Sequence, residues 1–78
     1  MPKIECTLGK TLDDIGITKN KLAVESKVRP NTISDIALNK ARSINFETLE
    51  KIVTTLNTLD TTRTFDITDV FVYSNNQS

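Results

Sequence analysis

Apolar residues recur at helical spacing in four separate windows of this chain. Leu8, Leu12 and Ile15 sit at i, i+4 and i+7 and predict the buried stripe of a first helix. Thr7 precedes it with a hydroxyl that can cap the first turn, and Gly16 follows as a natural stop. Thr18 is placed to cap a second helix, from Lys19 to Ser26, with Leu22 and Ala23 inward and Ile17 and Val24 at the margins. After the short connection Ser26-Lys27-Val28, Pro30 suits the first turn of a third helix, where a missing N–H does no harm. Ile33, Ile36 and Ala37 give that helix its buried stripe, and Asn39 can close it. Asn45 should cap a fourth helix, with Glu47 well placed against the helix dipole. Phe46, Leu49, Ile52, Val53 and Leu56 form its stripe, the strongest periodic signal in the chain, and Asn57 is expected to end it.

Beyond the fourth helix the pattern divides. Thr58 to Thr64 is polar and reads as a loop. Phe65 to Tyr73 supports two readings, which stay open at this level. Ile67, Val70 and Phe71 fit a short helix capped by Asp66, whereas Val70-Phe71-Val72-Tyr73 fits a strand, being β-branched and aromatic throughout. A strand would need a partner, and Lys3-Ile4-Glu5-Cys6 alternates suitably. The expected fold class is all-α: a compact domain of four or five helices, with or without a small two-stranded pairing of its N- and C-terminal segments. The domain is expected to span residues 1–73, followed by a polar tail over 74–78.

Composition narrows the class. Seventy-eight residues with eight Ile, seven Leu and five Val can fill one small aliphatic core. No apolar run approaches the ~20 residues of a membrane span, and the first residues lack the apolar stretch of a signal peptide. The lone Cys6 has no partner for an internal disulfide and reads as a small hydrophobe. A cytoplasmic protein is the resulting expectation. The formal charge is zero, but unevenly spread. Lys19, Lys21, Lys27, Arg29, Lys40 and Arg42 face only Glu25 and Asp35 across residues 19–42, and acidic residues predominate on both sides of that segment. Charges beyond about 8 Å are largely screened, so a local basic patch can steer a neutral protein to a polyanion.

The wheel of the third helix shows what that patch surrounds. With Ile33, Ile36 and Ala37 inward, the opposite face carries Asn31, Asp35 and Leu38, flanked by Thr32 and Ser34. Such a face can reach base edges in a major groove about 12 Å wide. Asn31 can pair bidentately with adenine, Asp35 can accept from cytosine N4, and Ser34 can donate or accept. Asn31 and Ser34 equally suit plain early-helix solvation, and Asp35 can act by excluding wrong sequences. Arg29, Lys40 and Arg42 bracket the helix and, with the Thr32 hydroxyl, are candidate phosphate contacts. The start of the second helix, at Lys19, offers free N–H groups to a phosphate as well.

The run Ile17-Thr-x-x-x-Leu22-Ala23, then Val28-x-x-x-Thr32-Ile33-Ser34, then Phe46-x-x-Leu49-x-x-Ile52-Val53-x-x-Leu56, resembles the Cro/C1-type, lambda-repressor-like helix-turn-helix family, in particular its short single-domain members in bacteria and phages. The resemblance covers about residues 6 to 73. It implies a compact helical domain, a transcriptional regulator, in particular a phage or bacterial repressor, that reads double-stranded DNA with residues 30–38, and a homodimer on a two-fold operator. It also implies that Lys19 occupies a position that reaches the DNA backbone. Three positions depart from the family pattern: Lys27 stands where the turn usually carries Gly, Arg29 replaces a Ser or Thr cap, and Pro30 replaces a polar side chain. With only ~3–4 phosphate contacts per subunit, each adding about −0.9 to the salt slope, one copy would bind weakly, which also favours a dimer. The dimer is expected to be built from the fourth helix and the C-terminal segment, with Phe65, Phe71 and Tyr73 as candidates for its interface, or equally for ordinary core.

The inventory argues against an enzyme. There is no His, the single Cys lacks a His to activate it, and Gly9 and Gly16 do not form a phosphate-binding loop. No cofactor, metal or small-molecule ligand is expected. The rival to DNA binding is a helix-turn-helix-fold protein-interaction module, an antirepressor or regulatory partner that does not itself touch DNA. Zero net charge, Asp35 on the reading face and Pro30 all leave room for it.

Overall fold

The computed structural model describes residues 2–75. In chain order it contains β1 (Pro2–Cys6), α1 (Leu8–Ile15), α2 (Lys19–Ser26), α3 (Pro30–Ala37), α4 (Phe46–Leu59), one 3-10 turn (Ile67–Asp69) and β2 (Phe71–Asn75). β1 and β2 pair antiparallel, with Ile4 opposite Tyr73 and Cys6 opposite Phe71. The all-α expectation is therefore too narrow: the helical domain carries a small two-stranded sheet. Both readings of residues 65–73 hold, on consecutive pieces of chain. Asp66 caps the 3-10 turn, which ends at Asp69, and the β-branched run then pairs with β1. β2 extends through Asn75, past the boundary expected at Tyr73, and residues 76–78 of the expected tail lie outside the described residues.

One apolar cluster joins the four helices and, through Cys6 and Phe71 packed at its edge, the two strands. Leu8, Leu22, Ile33, Ile36, Ile52, Leu56 and Val70 are fully buried, with Leu12, Ala23, Val28, Leu49 and Phe65 beside them. The helical stripes read from the sequence converge here, with three exceptions at their edges. Ala37 is only half-buried and outside the cluster, Val24 points to solvent, and Phe46 is 82% exposed although it continues the α4 stripe. Periodicity reports the angle around a helix axis and says nothing about how far along the axis the neighbouring helices reach. Phe46 opens α4, beyond that reach.

The helix ends explain the turns between them. Gly16 adopts a left-handed conformation, φ 70°, and α1 closes with its N–H donating to Asp13 O and the Ile17 N–H to Leu12 O. α3 closes by the same pattern on a residue other than glycine: Asn39 has φ 62°, its N–H donates to Ile36 O, and the Lys40 N–H donates to Asp35 O. Thr18 and Asn45 cap α2 and α4 as expected, accepting from the Lys21 and Thr48 N–H groups.

Two expected caps are used otherwise. The Thr7 hydroxyl donates to Thr68 O and makes no bond to its own helix. The N–H groups of Thr7 and Leu8 go to Val70 O instead, at 2.7 and 3.1 Å. Asn57 does not end α4, which runs on to Leu59. Its amide brackets the returning chain: Nδ2 donates to Val53 O and Phe65 O, and Oδ1 accepts from the Phe65 N–H at 2.7 Å. Both residues were assigned to local tasks, and long-range partners claimed them.

Candidate nucleic-acid interface

The site is built on α2, the turn after it, and α3. Leu22 and Ala23 anchor α2 to the core, and Ser26 is buried with its hydroxyl donating back to Leu22 O at 2.6 Å. The turn needs a left-handed residue, and Lys27 supplies it with φ 61° and ψ 29°. A side chain in that conformation is disfavoured by roughly 1 kcal/mol relative to glycine. Val28 is buried just after it and pins the turn to the core. Arg29 stands at the α3 N-cap with no side-chain hydrogen bond, and Pro30 takes the first helical position. The α3 N-terminus thus has no internal cap, and the Arg29 guanidinium stays free at the surface.

Burial of Ile33 and Ile36 fixes the roll of α3. Asn31 and Asp35 are left exposed, and Thr32 and Ser34 half-buried beside them. Leu38 is exposed and borders a groove with Leu12, Ile17 and Lys19. The candidate phosphate contacts fall into separate groups. Thr32, Lys40 and Arg42 come together with Asp35 around a groove of about 410 Å³. Lys19 lies in another, of about 770 Å³, between the end of α1, the start of α2 and the end of α3. Arg29, Asn31 and Ser34 border neither groove.

Residues that sequence reasoning left out complete these surfaces. Ser43, Asn45 and Thr48 line the first groove, and Lys10 the second. Asn45 was legible as a cap, which is the task its carbonyl performs toward the Thr48 N–H. Nothing in the spacing of residues 43–48 signals that the end of the α3–α4 connection returns beside Thr32 and Asp35.

Electrostatically the site is unpaired. The ion pairs among the described residues join Lys3 to Glu5, Lys51 to Glu47 and Arg63 to Asp69, all outside residues 19–42. The six basic side chains of that segment, and the Asp35 carboxylate with them, have no charged partner in the described fold. The candidate interface therefore presents exposed cations and hydrogen-bonding groups around one helix. Among the described residues no group of three or more His, Cys, Asp or Glu is arranged to hold a metal ion. No helix among them is long and apolar enough to cross a membrane. Burial pushes the Cys6 thiol above its ordinary range, away from the thiolate form.

Comparison with known families agrees with this geometry. The family model for the Cro/C1-type HTH DNA-binding domain matches residues 7–59, which take in all four helices. The chain belongs to the Cro/C1-type helix-turn-helix DNA-binding domain family. It is therefore a DNA-binding regulator by class, with α2 and α3 as the helix-turn-helix. Searches of curated proteins and of solved structures return no match.

Proposed function

We propose that this protein is a sequence-specific transcriptional repressor, of the kind found in bacteria and their phages, that acts in the cytoplasm as a homodimer and reads the major groove with α3. The observation that carries the reading is the unpaired state of the site. Asn31 and Asp35 stand exposed on α3, and the cations around them have no acidic partner among the described residues. In this reading Asn31 pairs with adenine, Asp35 accepts from cytosine N4, and Ser34 makes a permissive contact. Lys19, Arg29, Thr32, Lys40 and Arg42 hold the DNA backbone.

Of the three aromatic candidates for the dimer interface, Phe65 is excluded by its place in the core. Phe71 is half-buried, and Tyr73 is 66% exposed directly opposite Ile4, itself 64% exposed. That pair is the apolar surface offered to a second copy. The rival reading, a protein-interaction module, draws on the uncompensated Asp35 carboxylate, which repels phosphate.

Mobility shifts at two salt concentrations, on a duplex selected from random DNA, decide between them. The wild-type protein should shift the duplex and lose affinity steeply with salt. Asn31→Ala should relax preference at one base pair by about 1–3 kcal/mol, whereas Lys19→Ala should weaken binding to all sequences and flatten the salt slope. No shift at low salt by folded protein would give the field to the rival.

A further inference from the structure

The end of α3 is seated on the N-terminal segment through two contacts, one between backbones and one from a side chain to backbone. The first is at Gly9. A Cβ built there would lie 2.7 Å from Ala37 O and 3.5 Å from Ala37 C. The obstacle is backbone, so no rotamer change relieves it. The second is at Asn39, whose left-handed turn closes α3 while its Oδ1 accepts the Cys6 N–H of β1 at 3.1 Å. One residue thus terminates the reading helix and ties it to the sheet.

From this we infer that Gly9 and Asn39 are positioning residues for DNA readout, setting where α3 lies and so where Asn31, Ser34 and Asp35 fall in the groove. The inference rests on α3 being the reading helix. The magnitudes favour it. A methyl at Gly9 must open the α1–α3 contact by about 0.7 Å to reach the ordinary 3.4 Å separation. Hydrogen bonds from side chain to base tolerate donor–acceptor distances over a window of only about 0.5 Å. A displacement larger than that window degrades base contacts. Long flexible Lys and Arg side chains can follow the phosphates through it.

The test compares wild type with Gly9→Ala, Asn39→Gly and Asn39→Asp. Affinities are measured for the duplex that wild type selects and for a scrambled duplex of the same length, and amide spectra are recorded without DNA. Gly9→Ala should lower the ratio of selected to scrambled affinity about tenfold while leaving the salt slope unchanged. Asn39→Gly keeps the left-handed turn but deletes the Cys6 tether, and should lower the ratio by a smaller factor, about threefold. Asn39→Asp keeps an acceptor and should restore the ratio. A folded Gly9→Ala with an unchanged ratio overturns the inference. If Gly9→Ala does not fold, the Asn39 pair decides, and equal ratios for Asn39→Gly and wild type overturn it. Should wild type itself bind no DNA, the reading of α3 fails separately. The seating is then judged by the spectra, where unmoved α3 amides in Gly9→Ala, or in Asn39→Gly if the former does not fold, overturn it.

Discussion

The α2–α3 pair and the segment from Asn57 to Val70 are held to the same core by different means. In the helix pair, apolar side chains do the holding: Leu22, Ala23, Val28, Ile33 and Ile36 are buried, and the polar bonds at Thr18 and Ser26 stay within their own helix. From Asn57 onward, polar groups reach across the chain. Asn57 brackets Phe65, Asp66 and Asp69 form a reciprocal capping box, and the hydroxyls of Thr7 and Thr11 donate to Thr68 O and Asp69 O. Arg63 lies 4.5 Å from the centre of the Phe65 ring and 3.8 Å from Asp69. One region uses its polar groups internally, and the other leaves them outward. In the proposed reading that difference marks the binding face: the polar groups there are the ones the fold does not need.

The contrast can be broken most directly at Ile33. Ile33→Ala should lower stability by about 2–5 kcal/mol in urea unfolding, because the helix pair has little besides apolar burial to hold it. A loss under 1 kcal/mol would mean that polar contacts carry more of this region than described. Asn57→Ala tests the opposite region. It leaves the Phe65 N–H and C=O without partners and should destabilise by about 1–3 kcal/mol, visible as a lower urea midpoint with DNA affinity per folded molecule unchanged. A neutral result would remove the clasp from the account.

A smaller effect, of opposite sign, is expected in the turn. Lys27→Gly relieves the left-handed strain and should raise stability by about 1 kcal/mol, or several degrees in melting temperature for a domain of this size. A drop would show that the Lys27 side chain makes a stabilising contact. The smallest effect concerns acid. Hydrogen bonds from the Thr62 hydroxyl and N–H hold the Asp60 carboxyl below its ordinary range. A carboxylate depressed in the folded state stabilises fully above its unfolded pKa of about 3.9, and that contribution fades as the pH falls through the depressed value. Asp60→Asn should therefore slightly flatten the acid limb of stability below about pH 4 and leave its neutral-to-alkaline shape unchanged. A steeper acid limb in the variant would contradict the assignment.

The helix pair was legible because its organisation is local. Spacing, the Thr18 cap and the proline at the start of α3 lie within a few residues of what they control, and the strained position at Lys27 showed itself as a missing glycine. In the far region the Asp66 cap and the strand were legible too, but the long-range polar partners were not, for the converse reason. A Thr or Asn that can cap its own helix looks the same in sequence when its partner is some sixty residues away, and Thr7 bonds Thr68 at such a distance. The outward face of α3 was legible, but not the grouping of the candidate side chains around it. The wheel exposes Asn31 and Asp35, but only the folded chain brings Ser43 and Thr48 beside Thr32 and Asp35.

The carbonyl of Val70 adds an order of events. It accepts the N–H groups of Thr7, the N-cap of α1, and of Leu8, its first residue, so that helix begins on an atom the chain supplies near its far end. The neighbouring hydroxyl bonds span 58 and 61 residues. Closing a loop of that length carries an entropic penalty before any contact repays it, and contacts of long sequence separation form late. On a ribosome, α2, α3 and α4 can assemble while α1 still lacks its cap. Maturation of the N-terminal segment then waits for residue 70 to emerge.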